Sequence, residues 1–148
     1  MSVKIIFQLH PNEDGYPPIK YELLNATALP ENTFRIENAP FFTPNISYHD
    51  IVRARDSEIP GQFVFVDLVE GSAFTSVAII ILDPAIDVFL MDLLRGLNCV
   101  LEYGEFGSFR VLAVAVPAST NYRELRQQLE HLETQSKISF AELAVAYE

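Results

Sequence analysis

Thr75-Ser76-Val77-Ala78-Ile79-Ile80-Ile81-Leu82-Asp83-Pro84 is the stretch that decides the fold. Thr75 to Leu82 is a continuous run rich in β-branched residues, as expected of a strand buried on both faces. Asp83 then reads as a helix N-cap and Pro84 as the first helical residue. Ile86, Phe89, Leu90, Leu93 and Leu94 follow at helical spacing. Gly96 is the expected end of that helix, with Arg95 near the negative end of its dipole. Asn98 to Phe106 reads as a strand of mixed polarity, Gly107-Ser108 as a hairpin turn, and Phe109 to Val116 as a second apolar strand. Ser119 or Thr120 is placed to cap another helix, with Tyr122, Leu125, Leu129 and Leu132 as its apolar stripe. Ile138 to Tyr147 reads as the last strand.

The order β-α-β-β-α-β is the ferredoxin-like plan. In that plan the first and third strands are central. Here those two are the purely apolar runs, and the other two carry Glu102, Glu105 and Glu142, as edge strands do.

Working back from Thr75, the first half looks all-β. Val3 to Leu9 reads as a strand. Ile19 to Leu29 and Thr33 to Glu37 read as a pair joined at Pro30-Glu31-Asn32, and Ile51 to Ala54 and Gln62 to Val69 as a pair joined around Pro60-Gly61. Five short strands separated by turn signals predict a small barrel or a curved sheet. The expected class is therefore α+β: a β-barrel-like subdomain over 1–72 and a ferredoxin-like subdomain over 73–148, with Glu70-Gly71-Ser72 as the junction.

Composition limits the function. The chain has 148 residues, 49% of them hydrophobic, which is enough for a core without staples and too apolar for disorder. Its longest apolar runs fall far short of the roughly 20 residues of a membrane span. The start, Met1-Ser2-Val3-Lys4-Ile5-Ile6-Phe7, is too short in its apolar part for a secretory signal. The single cysteine, Cys99, allows no internal disulfide, and a cytoplasmic location is expected. Net charge is −10, and residues 1–74 and 75–148 each carry five basic and ten acidic side chains. An evenly acidic surface repels nucleic acid and attracts a basic protein.

No catalytic or metal constellation is legible. His10, His49 and His131 are scattered, so no metal site is expected. Neither a Gly-x-Ser-x-Gly elbow nor a phosphate loop is present, and Gly104-Glu105-Phe106-Gly107 is too short and too acidic to cradle phosphate. The chain reads as a protein without enzymatic activity and without a cofactor.

Three turn-like segments carry unusual aromatic content: Asp14-Gly15-Tyr16-Pro17-Pro18, Asn38-Ala39-Pro40-Phe41-Phe42 and Tyr48-His49-Asp50-Ile51-Val52. Turns rich in aromatics need a packing or a binding reason. In the packing reading Tyr16 lies on the barrel wall, Phe41 and Phe42 plug the barrel or its seam, and Asp50 bonds neighbouring amides. In the binding reading the same rings point outward as a patch for a partner.

These segments resemble the bacterial family catalogued as domain of unknown function 4265, whose usual pattern is close to Asp-Gly-Tyr-Pro-Pro, Asn-x-Pro-Phe-Phe and a Gly-Asp-Val-Val-like element. Gly96 to Glu102 and Val116-Pro117 fit its layout too. This chain has His49 where glycine is usual, and Phe74-Thr75-Ser76-Val77 lacks an arginine expected nearby. The resemblance implies no reaction.

The expected function is that of an acidic interaction protein of the immunity or antitoxin type, neutralising a basic toxin such as a nuclease. Its candidate contact residues are Asp14, Tyr16, Phe41, Phe42, Tyr48 and Asp50 on the turns, with Glu102, Tyr103 and Glu105 on an edge strand. The alternative is a small-molecule-binding or regulatory module with its ligand at the seam between the two halves.

Overall fold

The computed structural model describes residues 2–146. The class is α+β: two sheets and two helices. Five strands, β1 (Ser2–Gln8), β2 (Tyr21–Leu29), β3 (Thr33–Ile36), β4 (Ile51–Asp56) and β5 (Gln62–Glu70), pair in chain order. β5 returns to lie parallel to β1 over Gln62 to Val64, so the five strands close into a ring. Alternation sets its interior. Val3, Ile5 and Phe7 of β1, Leu24 and Ala26 of β2, Phe34 and Ile36 of β3, and Val52 and Ala54 of β4 all point inward and are buried.

The second sheet has the order β7-β8-β6-β9, from β6 (Thr75–Ile81), β7 (Val100–Phe106), β8 (Phe109–Val116) and β9 (Ile138–Ala144). Every neighbouring pair is antiparallel. The apolar strands β6 and β8 take the centre, and the glutamate-bearing strands take the edges. Helices α1 (Asp87–Gly96) and α2 (Tyr122–Thr134) bury Leu90, Leu94, Leu125, Leu129 and Leu132 against Val77, Ile79, Leu112 and Val114.

The opposite sheet face is built from small side chains. Ser76 pairs with Ala115, and Ala78 with Ala113, all of them buried. Small residues let another segment approach closely, and residues 39–48 do so. Ala39, Phe41 and Tyr48 pack on Ala113 and Ala115, and Phe42 on Ala78 and Val111. On β7, a Cβ added at Gly104 would lie 2.8 Å from Phe106 Cε2 and 3.0 Å from Phe41 Cζ, so a larger residue there would force these rings to shift.

Several local expectations need correction. Gly96 ends α1 as expected, although the left-handed position that follows falls at Asn98 (φ 62°). Asn121, not Ser119 or Thr120, caps α2 by accepting from the Glu124 amide, while the Thr120 hydroxyl bonds the Leu97 carbonyl. Phe89 is exposed, because α1 turns only Leu90 and Leu94 fully onto the sheet. Leu82 is exposed and lies beyond the end of β6. β2 begins at Tyr21, and β9 ends at Ala144, with Tyr147 outside the described residues. Asp83 does cap the helical start, accepting from the Ala85 amide, but the turn over Pro84–Ile86 is a 3-10 turn.

His49 occupies a left-handed conformation (φ 69°). This region favours glycine, since a Cβ there costs about 1–2 kcal/mol. The imidazole has compensating partners: it stacks on Tyr48 with ring centroids 3.9 Å apart, and its Nε2 lies 3.2 Å from a Glu37 carboxylate oxygen. His49→Ala and His49→Gly both remove these contacts, but only glycine relieves the backbone. The glycine variant is expected to be more stable than the alanine variant by about 1 kcal/mol in urea denaturation. Equal stabilities would show that the backbone is unstrained.

Candidate functional site

Three carboxylates hold the segment between β3 and β4, which packs between the two sheets. Glu22 stands on the inward face of β2, among apolar neighbours, and is only 4% exposed. It accepts from the amides of Phe41 (2.6 Å), Phe42 (3.1 Å) and Thr43 (2.9 Å), and from the Thr43 hydroxyl (2.6 Å). Glu102 reaches from β7 to the Asn38 side-chain amide (2.8 Å) and the Ala39 amide (2.9 Å). Asp50 accepts from the Ser47 amide (2.8 Å) and from the Ser72 amide at the junction (2.7 Å). Together they satisfy backbone donors along 39–47 that no ladder pairs, in a place where unpaired donors are costly.

The aromatic rings of the turns fill the space between the sheets. Tyr16 meets Phe42 and Phe109 edge-on, with ring centroids 5.7 and 5.5 Å away. Phe42 and Phe41 both stand against Phe106, at 4.9 and 5.1 Å. Tyr48 packs against Phe74 at 5.0 Å. Tyr16 therefore sits on β8 of the second sheet and not on the wall of the ring. Gly15 does take a positive φ (77°), and Asn12 closes that turn by accepting from the Asp14 and Tyr16 amides.

The nine candidate contact residues thus separate. Phe42 and Asp50 are buried, and Tyr16, Phe41, Tyr48 and Glu102 are half-buried in the seam. Asp14 is exposed on its turn. Tyr103 and Glu105 are exposed side by side on β7, where the Tyr103 hydroxyl donates to Glu105 (3.0 Å) and accepts from Arg110 Nε (3.0 Å). Arg110 also pairs with Asp87.

A recess of about 240 Å³ opens where β2 faces β7, lined by Tyr21, Glu22, Leu23, Phe41, Glu102 and Phe106 among others. Tyr21 and Leu23 are exposed at its rim. The sequence reading overlooked Glu22, although Tyr21-Glu22-Leu23 inverts the usual alternation and places the charge inside. Among the described residues no group of three or more His, Cys, Asp and Glu side chains converges on one point. No helix among them is long and apolar enough to cross a membrane. Burial pushes the Cys99 thiol up to about 11, so it stays protonated and unreactive at neutral pH.

Burial also raises the Glu102 carboxyl, and the nearby Glu22 carboxylate adds to this, against the lowering bonds from Ala39 and Asn38. Burial likewise raises Asp50. A carboxyl raised on folding binds its proton more tightly in the native state. Its contribution is fully present below the ordinary value and is lost as pH rises through the raised one. The stability of the native chain relative to a Glu102→Gln variant is therefore expected to increase as pH falls from 7 toward about 4.5. Thermal melts of both proteins across that range measure it, and a pH-independent difference would contradict it.

Residues 22–140 match the family model described as "Domain of unknown function (DUF4265)". No curated protein matches the chain. Among solved structures, a hypothetical protein from Neisseria gonorrhoeae is similar in fold, with a TM-score of 0.77 at 20% sequence identity. The match covers 99% of this chain and 96% of that one.

Proposed function

The chain belongs to the DUF4265 family, whose description names no activity, and from its geometry we propose that it is a non-catalytic acidic interaction protein acting on a basic partner. The reading is that of a bacterial, cytoplasmic protein of the immunity type, which neutralises a basic toxin by covering its active site. We read the ring as a small barrel and the second sheet with its helices as ferredoxin-like, a reading supported by the strand order β7-β8-β6-β9.

The observation that carries the functional reading is the exposure of Tyr103 and Glu105 together on an edge strand of a chain with net charge −10. An aromatic ring beside a carboxylate suits a cationic surface, offering apolar area and charge at once. The turn aromatics leave this contact set, because they are engaged in the seam. Asp14 stays in it as an exposed charge.

The test is co-purification of the tagged protein from its host, followed by titration of any basic protein recovered. Affinity is expected to fall with rising salt and with Glu105→Lys, since contacts between opposite charges are screened. Recovery of no specific basic protein would remove the reading.

The recess beside Glu102 favours a second reading, a small-molecule or regulatory module with its ligand at the seam. A compound that shifts the amide resonances of Tyr21 and Leu23 without any protein partner would support it.

A further inference from the structure

Strand β7 is a regular open edge along its whole length. The ring is closed through β1 and β5. Beyond Val64, β5 leaves the β1 ladder, but two register shifts against β4 break its line. At the far side of the second sheet, β9 has a register shift opposite Ser76 and Val77, and its Leu143 carbonyl accepts from the Asn45 amide. In contrast, β7 runs from Val100 to Phe106 in unbroken antiparallel register with β8. None of its backbone groups bonds to another described segment on its outer side. Its sequence, Val-Leu-Glu-Tyr-Gly-Glu-Phe, guards the edge with Glu102 and Glu105 and contains neither lysine nor proline, so it repels an acidic strand but not a basic one. Such an edge is a template for another strand, with its outward N–H and C=O groups already aligned.

We infer that an extended segment of the basic partner adds to β7 as a further strand and seats a lysine or arginine side chain in the recess beside Glu102. This rests on the proposed role of the protein as the acidic member of a pair. Three observations select that occupant. First, the recess is lined by Glu22 and Glu102, whose carboxylates accept from neutral amides and a hydroxyl and are in no ion pair among the described residues, so their charge is uncompensated. A partly enclosed site of one charge sign concentrates the opposite charge. Second, Tyr21, Phe41 and Phe106 supply apolar and aromatic walls suited to the aliphatic stem of such a side chain. Third, a second copy would bring a net charge of −10 against another −10, which disfavours pairing of two β7 edges. Main-chain bonds would then supply the general affinity, and the recess the selectivity.

The experiment uses the full chain and two capped peptides as long as β7, one alternating lysine with valine and the other glutamate with valine. Amide hydrogen exchange along β7 and the peptide dissociation constants are measured. The lysine peptide is expected to slow exchange of the outward β7 amides about tenfold or more, and the glutamate peptide to leave it unchanged. Glu105→Lys, an exposed substitution that places a cation on the edge, is expected to weaken lysine-peptide binding about tenfold. If the lysine peptide binds but β7 amides exchange as before, strand addition is overturned while the acidic-partner role stands. If neither peptide binds, the inference also falls, and that role is decided by co-purification alone. Protection of β7 that grows with protein concentration in the absence of peptide would give the edge to a second copy and overturn the inference.

Discussion

Glu22→Ala is expected to destabilise the protein by about 3–5 kcal/mol, among the largest effects of any single substitution here. The side chain is 4% exposed and satisfies three backbone amides and one hydroxyl. Alanine would leave these four donors without their acceptor, and each buried donor left unpaired costs about 1–3 kcal/mol before relaxation. Water can enter from the adjacent recess and recover part of this, which is why the expected total is below the sum. Urea denaturation measures the loss. Glu22→Gln keeps one acceptor oxygen but turns the other into a donor facing donors, so it is expected to fall between the native chain and Glu22→Ala. A loss under about 1 kcal/mol for Glu22→Ala would mean that the 41–43 amides find other acceptors.

Phe42→Ala is expected to cost about 3–5 kcal/mol, the usual range for deleting a buried phenylalanine. Phe42 is 5% exposed and lies edge-on to both Tyr16 and Phe106, so its removal opens a cavity between the two sheets. A distinguishing consequence is expected in hydrogen exchange. The Phe41, Phe42 and Thr43 amides, protected by Glu22, should lose protection before the ladder amides of β6 and β8 do. Loss of protection spread evenly over both sheets would mean that the seam is no separate weak point.

Much of the second sheet was legible in sequence because its signals are local. A β-branched run, an Asp-Pro start and a leucine stripe each act within a few residues. The exceptions are instructive. Phe89 sits next to Leu90 on a short helix, and only the docking angle of that helix decides which of the two is covered. α1 does end at Gly96, but the left-handed residue that follows it is Asn98, since asparagine also tolerates that region.

The site was legible in part. The three aromatic segments were recognisable, but their direction was not. A ring on a turn is equally compatible with solvent and with a neighbouring sheet, and Tyr16 meets a strand more than ninety residues away, at Phe109. Asp50 was readable as an amide acceptor because one of its partners, Ser47, lies three residues away. The partners of Glu102 lie 63 and 64 residues away, so it read only as an edge-strand charge.

By itself the sequence determined the α+β class, the element order, the central and edge strands of the second sheet, the acidity and the family. Those follow from periodicity, turn chemistry and charge, which are properties of neighbouring residues. Only the tertiary structure decided that the aromatic turns face inward, that Glu22 and Glu102 bind the segment between β3 and β4, and that β7 keeps an open edge. Each of these depends on which distant surface covers a residue, and that is set when the small-residue face of one sheet meets the segment leaving the other.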